Sequence, residues 1–166
     1  MNDKMKPVVN GDSAPLAPFF CDGSKGAPVV IIIDDDNAVR EYLKFILERE
    51  GMKVFEAVDG NNGLNIATAT PPSLIITDLI MPEKDGIETI QEIRNRFPQC
   101  GVIAMSGAVN SDAYLSMARL LGANSVVQKP FTRDILMNAV RETVAEKNHP
   151  AKKQNRLNKN RTGPTL

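Results

Sequence analysis

The chain has 166 residues, of which 42% are hydrophobic and 24% charged, enough to bury one sizeable core. Its 20 basic and 20 acidic residues cancel, so no overall field favours nucleic acid or an anionic membrane surface. No stretch approaches the roughly 20 apolar residues of a membrane span, and Asn10, Asp12, Pro15 and Pro18 interrupt any apolar run of a secretory leader, so the expected location is the cytoplasm.

Residues 1–27 mix Pro, Gly, Ser and Asp without a helical or strand period, and they hold too little apolar surface to offset the entropy of ordering them. A disordered lead is expected, with Phe19 and Phe20 as its only bulky pair. At Pro28 the character changes: Val29 to Ile33 form a continuous apolar run suited to a strand buried on both faces, and it stops at three aspartates. Val39, Leu43, Ile46 and Leu47 then recur at helical spacing, with Gly51 as the left-handed terminator. Val54 to Val58 reads as a second strand, Asn61 to Ala69 as a short helix closed by Pro71 and Pro72, and Leu74 to Thr77 as a third strand. Ile87, Ile90 and Ile93 mark a third helix that ends at Phe97 and Pro98; Val102 to Met105 is a fourth strand and Asp112 to Leu121 a helix closed by Gly122. Ser125 to Gln128 is a fifth strand, and Thr132 is placed to cap a last helix with the apolar face Ile135, Leu136, Ala139, Val140 and Val144. Regular alternation of strand and helix predicts an α/β fold, a parallel sheet with helices on both faces, over residues 28–147. Residues 148–166, with Lys152, Lys153, Arg156, Lys159 and Arg161 and no acid, are expected to form a basic disordered arm.

Ligands of an open parallel sheet bind beyond the carboxyl ends of its strands, so the polar residue after each apolar run matters most. Here these are Asp34, Asp35 and Asp36 after the first strand, Asp78 after the third, Ser106 after the fourth and Lys129 after the fifth. Any one alone is ordinary: a strand-end Asp usually caps a helix, and that is the reading for Asp36. As a set on four strand ends they are not ordinary. Close carboxylates in a poorly solvated cleft repel by several kcal/mol per pair, so a cation must sit among them; all-oxygen ligands with room for water suit Mg2+. The lone histidine, His149, lies in the tail, which removes Ser-His-Asp and Cys-His devices and the usual zinc sites from the domain. Cys21 and Cys100 match no metal or redox spacing, and no glycine-rich nucleotide cradle follows a strand. What remains is a carboxylate nucleophile with a metal ion and a lysine to neutralise a phosphoryl group in flight.

The segments IIIDDDNAVR, IITDLIMPEKDG, AMSGA and VVQKPF, in this order and at these intervals, resemble the signature segments of the two-component response-regulator receiver domain, over roughly Val29 to Lys147. The resemblance implies a five-stranded flavodoxin-like sheet in the order 2-1-3-4-5 and Mg2+-dependent transfer from a phosphohistidine on a histidine kinase or histidine phosphotransfer protein. Position by position it makes Asp78 the phosphoacceptor, Asp34 and Asp35 the acidic pair, Ser106 the switch hydroxyl and Lys129 the family's lysine. Asp35, Asp78 and the carbonyl of Ile80 would hold the metal directly, and Asp34 largely through water. Pro82 and Gly86 match the loop after the acceptor, and Lys129-Pro130 the family's cis peptide. Val126 departs from the pattern, since the family usually has an aromatic three residues before the lysine; aromatic rotation is therefore not the expected switch.

Two other classes compete. A haloacid-dehalogenase-type phosphatase would use Asp34 as nucleophile and Asp36 as acid-base residue, but it leaves the TDLIMPEKDG segment unexplained. A receiver-fold interaction module that is never phosphorylated would usually have lost an acid, the acceptor or the lysine. The residues after Lys147 are too few for a DNA-binding or enzymatic output, so the expected output is contact with a downstream protein or phosphate relay, without nucleic acid or membrane. The fourth helix is apolar almost all round, which fits either a helix packed into the core or a surface for a partner or a phosphorylation-dependent homodimer. Finally, neither Ile80 nor Ala108, the positions that position the attacking water by analogy with the family, has a side chain that hydrogen-bonds, which predicts a long-lived acyl phosphate.

Overall fold

In the computed structural model, which describes residues 26–81, 86–107 and 111–148, ten elements alternate along the chain. They are β1 Val29–Ile33, α1 Asn37–Arg49, β2 Lys53–Ala57, α2 Gly60–Ala69, β3 Leu74–Asp78, α3 Gly86–Arg96, β4 Gly101–Ser106, α4 Ser111–Leu120, β5 Ser125–Gln128 and α5 Arg133–Asn148. The strands form one parallel sheet in the order β2-β1-β3-β4-β5. Residues 1–25 and 149–166, and with them Cys21, His149, Phe19, Phe20 and the basic arm, lie outside the described residues, as do Pro82 and Ala108.

The continuous apolar run of β1 is what a central strand with two covered faces requires. Val30 and Ile32 point into a core shared with Leu43 and Leu47 of α1 and Leu136, Met137 and Val140 of α5. Ile31 and Ile33 point the other way, onto Leu64 of α2, Ile90 and Ile93 of α3, and Leu115 and Ala118 of α4. These four of the five β1 residues are fully buried, and each such side chain contributes about 2–3 kcal/mol relative to an exposed one.

Several expected boundaries shift by one residue. β2 starts at Lys53 rather than Val54, because the Lys53 amide donates to the Pro28 carbonyl (2.9 Å); it ends at Ala57, opposite the last residue of β1, which leaves Val58 beyond the ladder and half exposed. α2 begins at Gly60 because Asp59, not recognised as a cap, accepts from the Asn62 amide (2.8 Å). On α5 the expected apolar face is wrong at one position: Ile135 is 50% exposed and Met137 is buried in its place. Thr132 does stand at the start of that helix, its hydroxyl accepting from the Ile135 amide at 3.4 Å. Gly51 and Gly122, expected as terminators, have φ of 82° and 111°.

Strand order reverses at β1, which pairs with β2 on one side and β3 on the other. A crevice for ligands opens at such a point beyond the strands' carboxyl ends. Asp34 and Asp78 stand there.

Candidate functional site

Asp34 follows β1 and is fully buried. Each of its polar groups is engaged. Its amide donates to the Ala57 carbonyl (3.2 Å), its carbonyl accepts from Arg40 Nη1 (2.8 Å), Oδ1 accepts from the Asp36 amide (3.0 Å), and Oδ2 accepts from Lys129 Nζ (2.7 Å). Asp78 ends β3 and is 7% exposed. Its Oδ2 accepts from the same Lys129 Nζ at 2.6 Å and its Oδ1 from the Ile80 amide at 3.2 Å. Lys129 is aimed by the sheet itself: its amide donates to the Ser106 carbonyl (2.8 Å), carrying the β4–β5 ladder one residue past Gln128. Its ammonium thus bridges two carboxylates that belong to neighbouring strands.

Asp35 completes the acidic group from the exposed side. One carboxylate oxygen each from Asp34, Asp35 and Asp78 lie within 4.8 Å of one another. Burial holds the Asp34 carboxyl above the ordinary carboxylate range, although the hydrogen bonds from Lys129 and the Asp36 amide pull the other way. For Lys129 burial alone would lower the ammonium, but the hydrogen bonds and charges of Asp34 and Asp78 outweigh it and the net shift is upward. One ammonium therefore does not fully compensate the buried acid. Oxygen-only donors, two of the three carboxylates buried, and negative charge left over fit a hard divalent cation, and Asp34, Asp35 and Asp78 are able to hold one.

The remaining expected residues fall around this group. Ser106 is fully buried at the end of β4, and Ile80 lies 44% exposed on the rim. The Lys129-Pro130 peptide is cis. Gly86 shows why the segment after Asp78 ends in glycine: a Cβ there would lie 2.0 Å from the Asp78 carbonyl oxygen and 2.6 Å from Leu79 Cα, so no other residue lets α3 start so close to the strand end. Val126 is partly buried against the α2–α4 face of the sheet. Asp36 caps α1, accepting from the Ala38 (2.8 Å) and Val39 (3.4 Å) amides, which engages the carboxylate that a dehalogenase-type phosphatase would need as its acid-base residue. Cys100 is buried, its thiol donating to the Gly101 carbonyl at 3.2 Å.

Two arginines escaped the sequence reading. Arg40, on the buried face of α1, holds the Asp34 carbonyl. Arg94, on α3, donates to the carbonyls of Gly122 (2.8 Å) and Cys100 (2.6 Å) and to Asn124 Oδ1 (2.6 Å), at the far rim of the sheet. Each sits at a position where the helix periodicity calls for an apolar residue, three before Leu43 and four after Ile90, and that interruption is the only trace either leaves in the sequence.

The family model of the response regulator receiver domain matches residues 30–141, and the chain belongs to that family. Membership makes it a phosphoaspartate-signalling domain, whose chemistry is confined to its own phosphorylation and dephosphorylation, and removes the phosphatase alternative. Among solved structures the chain is similar to a response regulator receiver domain protein from Clostridium thermocellum, at 29% identity and a TM-score of 0.67 over 73% of this chain and 97% of that one. It is similar to a two-component response regulator from Clostridium difficile, at 25% identity and a TM-score of 0.67 over 73% and 98%. A third likeness is to NtrX from Brucella abortus, at 25% identity and a TM-score of 0.69, covering 84% of this chain but 32% of that longer one. Among the described residues no helix is long and apolar enough to cross a membrane.

Proposed function

We propose that Asp78 accepts a phosphoryl group from a phosphohistidine of a histidine kinase or histidine phosphotransfer protein, in a Mg2+-dependent reaction. The observation that carries this reading is the contact of Lys129 Nζ with both Asp34 Oδ2 (2.7 Å) and Asp78 Oδ2 (2.6 Å). A partly buried ammonium fixed beside a strand-end carboxylate stands ready to neutralise charge on an incoming phosphoryl group. Asp78 is the better nucleophile of the two bridged acids, because it retains slight exposure at the rim whereas Asp34 has none.

Asp34, Asp35 and Asp78, with the carbonyl of Ile80, would hold Mg2+, which when bound supplies charge neutralisation for phosphoryl oxygens. The chain's own residues do the rest. Lys129 orients the Asp78 carboxylate, the Ile80 amide fixes its second oxygen, and Ser106 supplies the hydroxyl through which the phosphorylated state would be sensed. Val126 takes no part by ring rotation. The signal would leave through protein contacts: Tyr114, Met117 and Leu120 of α4 are 44%, 49% and 83% exposed, an apolar surface for a downstream target or for a second copy after phosphorylation.

Radiolabelling with acetyl phosphate and Mg2+ tests the reading. Native protein should label; Asp78→Asn, or native protein with a chelator, should show no label above background. Full labelling of Asp78→Asn would overturn the assignment.

A further inference from the structure

Arg40 is 9% exposed on the sheet-facing side of α1, where its charge would be costly without partners. Its guanidinium turns back over the β1–α1 turn. Nη1 donates to the Asp34 carbonyl at 2.8 Å and Nη2 to Asn37 Oδ1 at 2.8 Å, while Nε lies 3.9 Å from Glu56 Oε1. The two amino groups therefore tie the residue that follows β1 to the first residue of α1, and Asp35 is carried between these tied points. Among the bonds that fix Asp34, this one alone runs to a side chain of α1; the amide is held by β2 and the carboxylate by Lys129 and the turn.

We infer that Arg40 is a positioning residue of the acidic cluster: by fixing the turn that carries Asp34 and Asp35 it sets the affinity of the cluster for a divalent cation. The inference rests on the metal-dependent reading proposed above. Charge does not account for the arrangement, since Glu56 accompanies Arg40 and is itself bonded to Lys44 Nζ at 2.7 Å. Shape does. A planar guanidinium holds its donors in a fixed fork, with Nη1 aimed at one acceptor and Nη2 at the other, whereas the donors of a lysine all sit on one rotatable nitrogen and fix no such spacing.

Calorimetric titration of the full chain with Mg2+, with thermal unfolding in EDTA to confirm folding, tests this. Arg40→Lys keeps the charge and loses the fork, and its Kd for Mg2+ should rise about tenfold, the usual scale for losing an outer support of a metal site. Its labelling by acetyl phosphate should be slow at low Mg2+ and return to the native rate at saturating Mg2+, a rescue that general loosening of the fold would not give. Asn37→Ala, an exposed change that removes one of the two tied points and leaves the bond to the Asp34 carbonyl, should raise the Kd about threefold, the low end of the scale for one hydrogen bond, and decides the matter should Arg40→Lys not fold. An Mg2+ affinity within twofold of native in the folded variant overturns the inference. Failure of the native chain to take up Mg2+ is a different result: it overturns the metal-dependent reading, and this inference with it.

Discussion

Lys129 stands at the carboxyl rim of the sheet, after β5, and Arg94 at the amino rim, beside the starts of β4 and β5. Both are partly buried cations on the same scaffold, and burial by itself lowers the pKa of each. At Lys129 two carboxylates reverse the shift. At Arg94 the hydrogen bonds go to carbonyl and amide oxygens, and the guanidinium stays below its ordinary value although still charged. The difference separates a cation kept to meet further negative charge from one that closes a backbone seam. The first rim concentrates acids that oppose folding and are useful to chemistry; the second satisfies groups that any fold must satisfy.

Lys129→Met breaks the first half of the comparison, and its effect should be the largest: labelling of Asp78 slows by about a hundredfold, the scale for removing one fixed donor from a developing anion, as read from acetyl phosphate labelling at saturating Mg2+. Arg94→Met tests the second half. It leaves the Gly122 and Cys100 carbonyls without this donor and should lower unfolding free energy by about 2–3 kcal/mol in urea titrations, with the labelling rate of the folded fraction unchanged. A large loss of labelling in folded Arg94→Met would erase the distinction between the rims.

A smaller effect sharpens the account of the acid side. With the Asp34 carboxyl raised by burial, the folded chain holds a proton that the unfolded chain has released, in the window from the ordinary value of 3.8 up to the raised folded value. Stability from this group is present below that window and lost as pH rises through it. Asp34→Asn should therefore flatten the decline in stability of metal-free protein across the window, measured by urea unfolding in EDTA, while weakening Mg2+ binding. The smallest effect concerns lifetime. Ile80 is apolar and sits on the rim, bonded to Asp78 only through its amide; Ile80→Asn adds a group able to position water and should speed loss of the acyl phosphate about tenfold. Equal lifetimes would show that water placement by this side chain does not limit hydrolysis.

How legible these rims were in the sequence differs in the same way. The acids and Lys129 could be read because each terminates an apolar run, and a strand end is where periodicity breaks. The alternation of β1 between two cores was legible for the same reason. Arg40 and Arg94 were not, because their partners are the carbonyls of Asp34, Gly122 and Cys100, and a carbonyl has no residue identity to read. Asp59 was missed as a cap since the glycine after it reads as a turn, and Ile135 was misplaced because it and Met137 flank the Leu136–Val140 stripe on opposite sides, and periodicity alone does not say which flank is covered.

Lys129 reaches Asp34 across 95 residues of chain and Asp78 across 51. The cation of the pocket is thus delivered by an edge strand that follows all the acids in the chain, and no contiguous piece of the sheet lacking β5 contains it. During synthesis the acidic strand ends emerge first and face one another without their lysine, so mutual repulsion disfavours premature closure of the crevice. Docking of β5 supplies the missing charge, and α5, which follows it, closes the core with Leu136, Met137 and Val140. Competence to accept a phosphoryl group is then a property of the finished sheet alone, and a partly folded chain would be silent rather than wrongly active.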